Sequence, residues 1–364
     1  MLDKLRNIFS FGSKSFLGID IGTSSIRIVE LVKKKRVVHL ANYGEVKTSS
    51  LKKRPFRIFY ENNVSLSNRE IAQTISSILK EAKIEGRDVS FAIPDFAGFF
   101  VSFEIPAMDK DEISQAVQYE VRPYIPVPIN EVALDWTIIE GQPFKTPLKI
   151  LVVAIPNETI SQYQEIAQMT ELNLKTLESE VFALTRAVNH VAKITQDTDK
   201  TIGLIDLGAR STTCSILEKE ALKSSHSFKV GGNELTEIVA KSFGLKYNEA
   251  EKIRNQNGLV SDGAEKKNMR RVLVPIVDSI LEEIKQAFRS FYREEGREID
   301  KIFLAGGISL MPGMKEYFAA SLKKPIVVLN PFANIAHPKI LGNKLKEIGP
   351  SYAVAVGLAL KGLE

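Results

Sequence analysis

The chain has 364 residues, 44% of them hydrophobic and 26% charged, a length that suits two domains and a balance ordinary for a soluble globular protein. A single cysteine, Cys214, excludes an internal disulfide, and the four scattered histidines (His39, His190, His226, His337) lack metal-site spacing. The net charge of +5 suits an anionic surface, but no RNA-binding or zinc-finger signature accompanies it, and no apolar run reaches the length of a membrane span.

Residues 1–15 carry Lys4 and Arg6 but no apolar stretch or cleavage site, so they do not read as a secretory signal. Leu2, Leu5, Ile8 and Phe9 share one helical face there, which suits an anionic membrane, a partner, or a frayed terminus. Residues 16–87 read as the core of a first lobe, with three strands to about Val46 and a solvated basic hairpin tip at Lys33–Arg36. A helix follows over Asn68–Lys83, where Ile71, Ile75, Ile78 and Leu79 recur at helical spacing behind a Ser67/Glu70 capping box.

Residues 88–177 alternate strand, helix, strand, strand, helix, strand, which predicts a small α+β unit inserted into that lobe. Within it Pro123, Pro126 and Pro128 stiffen an extended segment. Tyr119, Tyr124 and Ile125 set large anchors beside it, predicting a groove for a short peptide; packing within the unit is the alternative. Residues 178–200 read as a connecting helix. A second lobe follows over 201–348, with helices at Glu234–Phe243 and Tyr247–Asn255 in its part at about 230–270 and a core helix at Val272–Tyr292. Residues 349–364 read as a returning helix begun at Pro350, whose missing N–H costs little at a helix start. Ala353, Ala355, Gly357 and Ala359 are small enough there for helices to cross closely.

Two segments of the chain answer each other: Leu17-Gly-Ile-Asp-Ile-Gly-Thr-Ser-Ser25 and Gly203-Leu-Ile-Asp-Leu-Gly-Ala-Arg-Ser211. Each runs apolar strand, Asp, apolar residue, Gly, two residues, Ser, and continues into another strand. A Walker loop and a Rossmann fingerprint both open a helix, so neither is present. The backbone N–H groups of such glycine turns form an anion-binding nest, and small hydroxyls add donors. Asp20 and Asp206 end buried strands and are expected to face each other across a cleft, holding the water shell of Mg²⁺ beside a triphosphate. A third strand ends in Gly306-Gly307, which is expected to lie flat against a base or ribose.

These residues resemble the superfamily of actin and the heat-shock chaperone ATPases: its first phosphate loop at Asp20–Ser25, its second at Asp206–Ser211, its adenosine loop at Ala305–Ser309. Within it the chain resembles, over nearly its whole length, the PilM family of the type IV pilus assembly platform, with FtsA of cell division a step further off. That likeness rests on Phe103-Glu-Ile-Pro-Ala-Met108, Tyr124-Ile-Pro-Val-Pro-Ile129, Val230-Gly-Gly-Asn-Glu-Leu-Thr236, Ala250-Glu-Lys-Ile-Arg254 and Glu347-Ile-Gly-Pro350.

The resemblance implies an α/β, actin-like ATPase fold of two lobes with a duplicated core and an inserted α+β subdomain in the first. It implies ATP and Mg²⁺, with Gly22, Thr23, Ser24, Ser25, Gly208, Ala209, Arg210 and Ser211 around the phosphates and Asp20 and Asp206 holding the metal through water. Gly232, Glu234, Glu251, Lys252, Gly306, Gly307 and Ile308 would surround the nucleoside, and Glu180 would orient the attacking water of a weak or slow hydrolysis. Arg210 stands where many relatives have a small residue, and Ile308 where the chaperones have Ser. The implied partner is the N-terminal cytoplasmic tail of a PilN-like inner-membrane protein, with other platform proteins and the motor ATPases beyond it and no nucleic acid. The implied location is cytoplasmic, peripheral to the bacterial inner membrane, with mainly indirect membrane contact.

A filament-forming division protein like FtsA and a sugar kinase of the same superfamily are the competing readings. The first expects a lipid-binding C-terminal helix, which the residues up to Glu364 do not contain; the second expects a sugar-binding signature.

Overall fold

A computed structural model describes residues 14–47, 59–60, 63–64, 66–260 and 263–364. The amphipathic face expected of Met1–Phe11 lies outside the described residues. The opening strands β1 (Lys14–Ile21), β2 (Ser25–Lys34) and β3 (Val37–Lys47) form an antiparallel meander, and a two-stranded ribbon of β4 (Phe59–Tyr60) and β5 (Asn63–Val64) follows. Helix α1 (Asn68–Glu81) begins at the predicted capping box, with Ser67 and Glu70 satisfying each other's backbone N–H groups. It buries Ile71, Ile75, Ile78 and Leu79 against the sheet.

Strands β6 (Asp88–Ile93) and β10 (Asn173–Ser179) complete the first sheet, which runs β10–β6–β1–β2–β3. This corrects the expectation that residues 88–177 form one inserted unit. β6 pairs in parallel with β1, β10 pairs in parallel with β6, and α3 (Asn157–Met169) packs on α1 through a core that includes Tyr163 and Ile166. The separate sheet is smaller, β7–β9–β8, built from β7 (Phe99–Ile105), β8 (Val132–Glu140) and β9 (Leu148–Pro156). Helix α2 (Lys110–Glu120) covers it with Ile113 and Val117.

The second lobe repeats the plan. Strands β11 (Thr201–Leu207), β12 (Thr212–Glu218) and β13 (Ala221–Phe228) form the antiparallel meander; β14 (Lys301–Ala305) and β15 (Ile326–Val328) add in parallel, in the order β13–β12–β11–β14–β15. Between the meander and β14 come α5 (Gly232–Phe243), α6 (Tyr247–Asn257) and the long α7 (Ala264–Glu295); α8 (Met314–Leu322) precedes β15.

Two helices cross between the lobes. α4 (Glu180–Thr195) leaves the first lobe and packs over Ile202, Leu204 and Phe303 of the second sheet. After the short α9 (Gly342–Ile348), α10 (Ala353–Lys361) returns and lies on β1 and β2. The helices meet backbone to backbone: a Cβ on Gly357 would stand 1.9 Å from the Ala183 carbonyl oxygen. Of the small residues expected to permit a close crossing, Gly357 does so here, while the Ala355 and Ala359 backbone lies against Gly18 of β1.

Candidate functional site

Each lobe brings a strand, a tight turn and a second strand to one cleft of about 870 Å³. The turns are closed alike: the Gly22 N–H donates to the Ser25 carbonyl at 3.0 Å, and the Gly208 N–H to the Ser211 carbonyl at 3.0 Å. Register extends the equivalence. Asp20 pairs with residue 27 on β2 and Ala92 on β6, while Asp206 pairs with residue 213 on β12 and Ala305 on β14. The sequence repeat is therefore a structural one, and both aspartates line the cleft.

The lining also takes in Gly22, Thr23, Ser24, Ser25, Glu180 and the whole second turn, Gly208, Ala209, Arg210 and Ser211. Gly232, Glu251, Gly306, Gly307 and Ile308 line it from the other end. Gly306 needs to be glycine. Its φ is +80°, and a Cβ there would lie 2.5 Å from the Asp206 carboxylate and 2.3 Å from the Leu207 carbonyl oxygen.

Two residues expected at the nucleoside end do not line the cleft. Glu234 turns back to accept the Gly231 N–H at 2.9 Å, closing the start of α5, and Lys252 is exposed on α6. The cleft face of α6 carries Tyr247, Asn248, Glu251, Arg254 and Asn255. Of these Arg254 is buried, donating to the Gly232 carbonyl and, at 2.6 Å, to the Thr236 hydroxyl. Tyr247 donates to the Asn233 side-chain oxygen at 2.7 Å. The one-face spacing of these α6 residues was available in the sequence.

Three carboxylates, Asp20, Glu180 and Asp206, converge in the cleft, and Asp95 is buried beside Glu180. Burial pushes Asp20 up to about 6, although the Arg27 guanidinium 3.5 Å away pulls the other way. Burial likewise pushes Asp206 up to about 7, helped by the negative charge of Asp95 and Asp20. Glu180 is held well above the usual carboxylate range by burial and then by Asp95, Asp20 and Asp206. Asp95 is raised by its own burial. Arg27 is in turn held by Glu45 at 3.0 Å, and Tyr43 and Tyr352 complete that wall.

The residues expected to meet a peptide separate into two kinds. Tyr119 and Tyr124 are 68% and 53% exposed, and Tyr124 stacks on Phe103 with ring centroids 5.8 Å apart. Ile125 is 6% exposed within the core of the inserted unit, so it packs that unit and offers no surface anchor.

The sequence pattern of the family described as type IV pilus assembly protein PilM matches residues 18–363. The chain belongs to the PilM family. The solved PilM-PilN type IV pilus biogenesis complex is similar to it, with a TM-score of 0.83 and 26% identity over 96% of this chain and 98% of that one. MreB 5 of Spiroplasma citri bound to AMPPNP has a TM-score of 0.55 at 13% identity, over 92% of this chain and 97% of that chain, a likeness of fold alone. The cell division protein FtsA of Enterococcus faecalis is 22% identical over 356 residues, 85% of this chain and 78% of its own length. With the duplicated sheets, these likenesses make the fold actin-like, as expected. Among the described residues no helix is long and apolar enough to cross a membrane.

Proposed function

We propose that this chain is an ATP-binding adaptor of type IV pilus assembly, which holds Mg²⁺-ATP between its lobes and docks the N-terminal cytoplasmic tail of a PilN-like inner-membrane protein. The observation that carries the nucleotide half is the pair of matching turns facing one cleft, each with an aspartate at the same register. The cleft suits a phosphate chain and its metal. Turn backbones offer N–H donors, and one oxygen of the Asp20 carboxylate and the Ser25 hydroxyl are buried without a hydrogen-bond partner among the described residues. When bound, Mg²⁺ supplies positive charge against the phosphates and the cleft carboxylates.

In this reading Asp20 and Asp206 hold the metal's waters, and Thr23, Ser24, Ser25, Gly208, Ala209, Arg210 and Ser211 surround the phosphates. Gly232, Glu251, Gly306, Gly307 and Ile308 surround the nucleoside. Glu180, at the first position of α4, orients a water in a slow hydrolysis. Membership of the PilM family and the likeness to a PilM-PilN complex support the partner. Tyr119 and Tyr124, exposed on the inserted unit, are the anchors left to it. The chain then sits in the cytoplasm and reaches the inner membrane through that tail.

Calorimetry with Mg²⁺-ATP and fluorescence anisotropy with a synthetic PilN-like tail test the two halves separately. Binding of both is expected, and Tyr124→Ala should weaken the peptide without changing ATP affinity. Absence of ATP binding sinks the first half, and absence of peptide binding with or without ATP sinks the second.

A further inference from the structure

The turn at the C-terminal end of β6, Pro94–Ala97, lies where the first sheet hands the chain to β7 and the inserted unit. No role for it follows from the phosphate turns or from the adenosine loop. Asp95, its first helical residue, is 6% exposed. Among the described residues no Lys or Arg forms an ion pair with it. A buried carboxylate is costly unless its oxygens are satisfied, and those of Asp95 are satisfied by groups far away in sequence.

Three contacts run to α4. Ser179 occupies the N-cap position of that helix yet makes no capping bond. Its hydroxyl donates instead to Asp95, and Asp95 accepts the Val181 N–H at 3.1 Å, so Asp95 caps the helix from outside. In return the Asp95 N–H donates to the Glu180 carboxylate at 3.4 Å. The contacts fix Glu180 by its backbone neighbour and by its own oxygen.

The same turn also reaches the second lobe at two points. Thr213 on β12 stands beside the Asp95 carboxylate and partly offsets the effect of its burial, while its hydroxyl donates to Ser227 at 3.1 Å. Next door, the ring of Phe96 lies under the Arg210 guanidinium, 4.3 Å from its centroid, and Arg210 belongs to the second phosphate turn. Thr213 is the register partner of Asp206. Phe96 therefore holds the second phosphate turn, and Asp95 anchors the turn that carries Phe96 to α4.

We propose that Asp95 is a positioning residue: with Phe96 it clasps the second lobe to the first and at the same time fixes Glu180, so that closing the cleft and placing Glu180 are one event. The Glu180 half rests on the nucleotide reading above; the clasp itself does not. Asparagine keeps an acceptor oxygen for Ser179 and Val181, whereas alanine removes it.

Spin labels at Glu81→Cys and Lys241→Cys, exposed on α1 and α5, report the distance between lobes in the full chain by pulsed electron resonance. Without nucleotide, Asp95→Ala should broaden the distance distribution, and Asp95→Asn should restore it. Should Asp95→Ala fail to fold, Phe96→Leu removes the ring under Arg210 alone and should broaden the distribution in the same way. With Mg²⁺-ATP, Asp95→Ala should lower the hydrolysis kcat on the order of tenfold to a hundredfold with KM nearly unchanged, the pattern of a misplaced group. A distribution unchanged in both Asp95→Ala and Phe96→Leu overturns the clasp. Broadening in a protein whose wild type binds no ATP upholds the clasp and overturns the nucleotide reading instead.

Discussion

In the first lobe the turn carboxylate Asp20 faces Arg27 across the β1–β2 register at 3.5 Å, and Arg27 is anchored on Glu45. In the second lobe the same register sets Thr213, a neutral hydroxyl, opposite Asp206. The backbones match to the turn hydrogen bond, and the electrostatics do not. Asp20 has a resident cation in contact with it, whereas Asp206 feels Asp95 and Asp20 first and Arg27 least; burial holds both above the ordinary carboxylate range, to about 6 and about 7. A duplicated turn thus repeats its geometry through local hydrogen bonds, while the charge at its centre is set by whichever residue the register delivers.

The largest effect expected from this asymmetry is on metal-dependent nucleotide binding. Asp206→Asn should weaken Mg²⁺-ATP by roughly 100-fold and Asp20→Asn by roughly 10-fold, the span of charged hydrogen bonds of about 1.5–3 kcal/mol. Calorimetry on both variants decides, and equal losses break the comparison.

Next comes the fit of the turns. A Cβ on Gly208 would approach the Ser211 carbonyl oxygen to 2.8 Å, while one on Gly22 would stay 3.4 Å from the Ser25 carbonyl oxygen. Gly208→Ala should therefore cost about 1–3 kcal/mol of stability, the range for forced overpacking, and Gly22→Ala less than that. Chemical denaturation of the two variants would show the order, and a reversed order would mean that the second turn yields more easily than its contacts suggest.

A smaller effect is expected from pH. Both carboxyls are held above their ordinary 3.8, so the folded state keeps its protons longer than the unfolded chain. Their contribution to stability is then fully present below about pH 4 and is lost as pH rises through about 6 for Asp20 and about 7 for Asp206. Metal binding requires the ionised forms, so Mg²⁺-ATP affinity should climb about tenfold between pH 6 and 8, as the ionised fraction of a group titrating near 7 rises from about a tenth to about nine-tenths. Asp206→Asn should flatten the upper part of that climb more than Asp20→Asn flattens the lower part. The smallest effect belongs to Lys252→Ala, which should change ATP affinity less than about twofold, as expected of an exposed position off the cleft face.

What could be read from the sequence was what local bonding determines. The capping box at Ser67 and the two glycine turns are complete within a few residues, and they stand in the structure as expected. The turn hydrogen bond even makes Arg27 readable as the partner of Asp20, since it fixes the hairpin register. Asp95 was not readable: its partners on α4 lie 84 to 86 residues away, and nothing in Pro-Asp-Phe-Ala announces them. β6 and β10 were drawn into the inserted unit for the same reason, because strand order in a parallel pair is set by distant segments. Ile125 was misjudged because its proline-rich surroundings resemble an exposed groove, while the side chain completes a core made by β8, β9 and α2.

The position of α10 has a consequence for how the molecule is made. The face of the first sheet that holds Phe16, Val29, Leu31 and Leu40 is closed by Tyr352, Ala355, Val356, Ala359, Leu360 and Leu363. A ribosome delivers the strands of that sheet first and their cover more than 300 residues later, so the face must wait while those residues are made. The opposite face, covered by α1 and α3, has its partners within the first 169 residues. Until α10 arrives the nascent chain carries a half-covered sheet with a greasy side exposed, and the docking of that helix is the event that finishes the first lobe and joins it to the second.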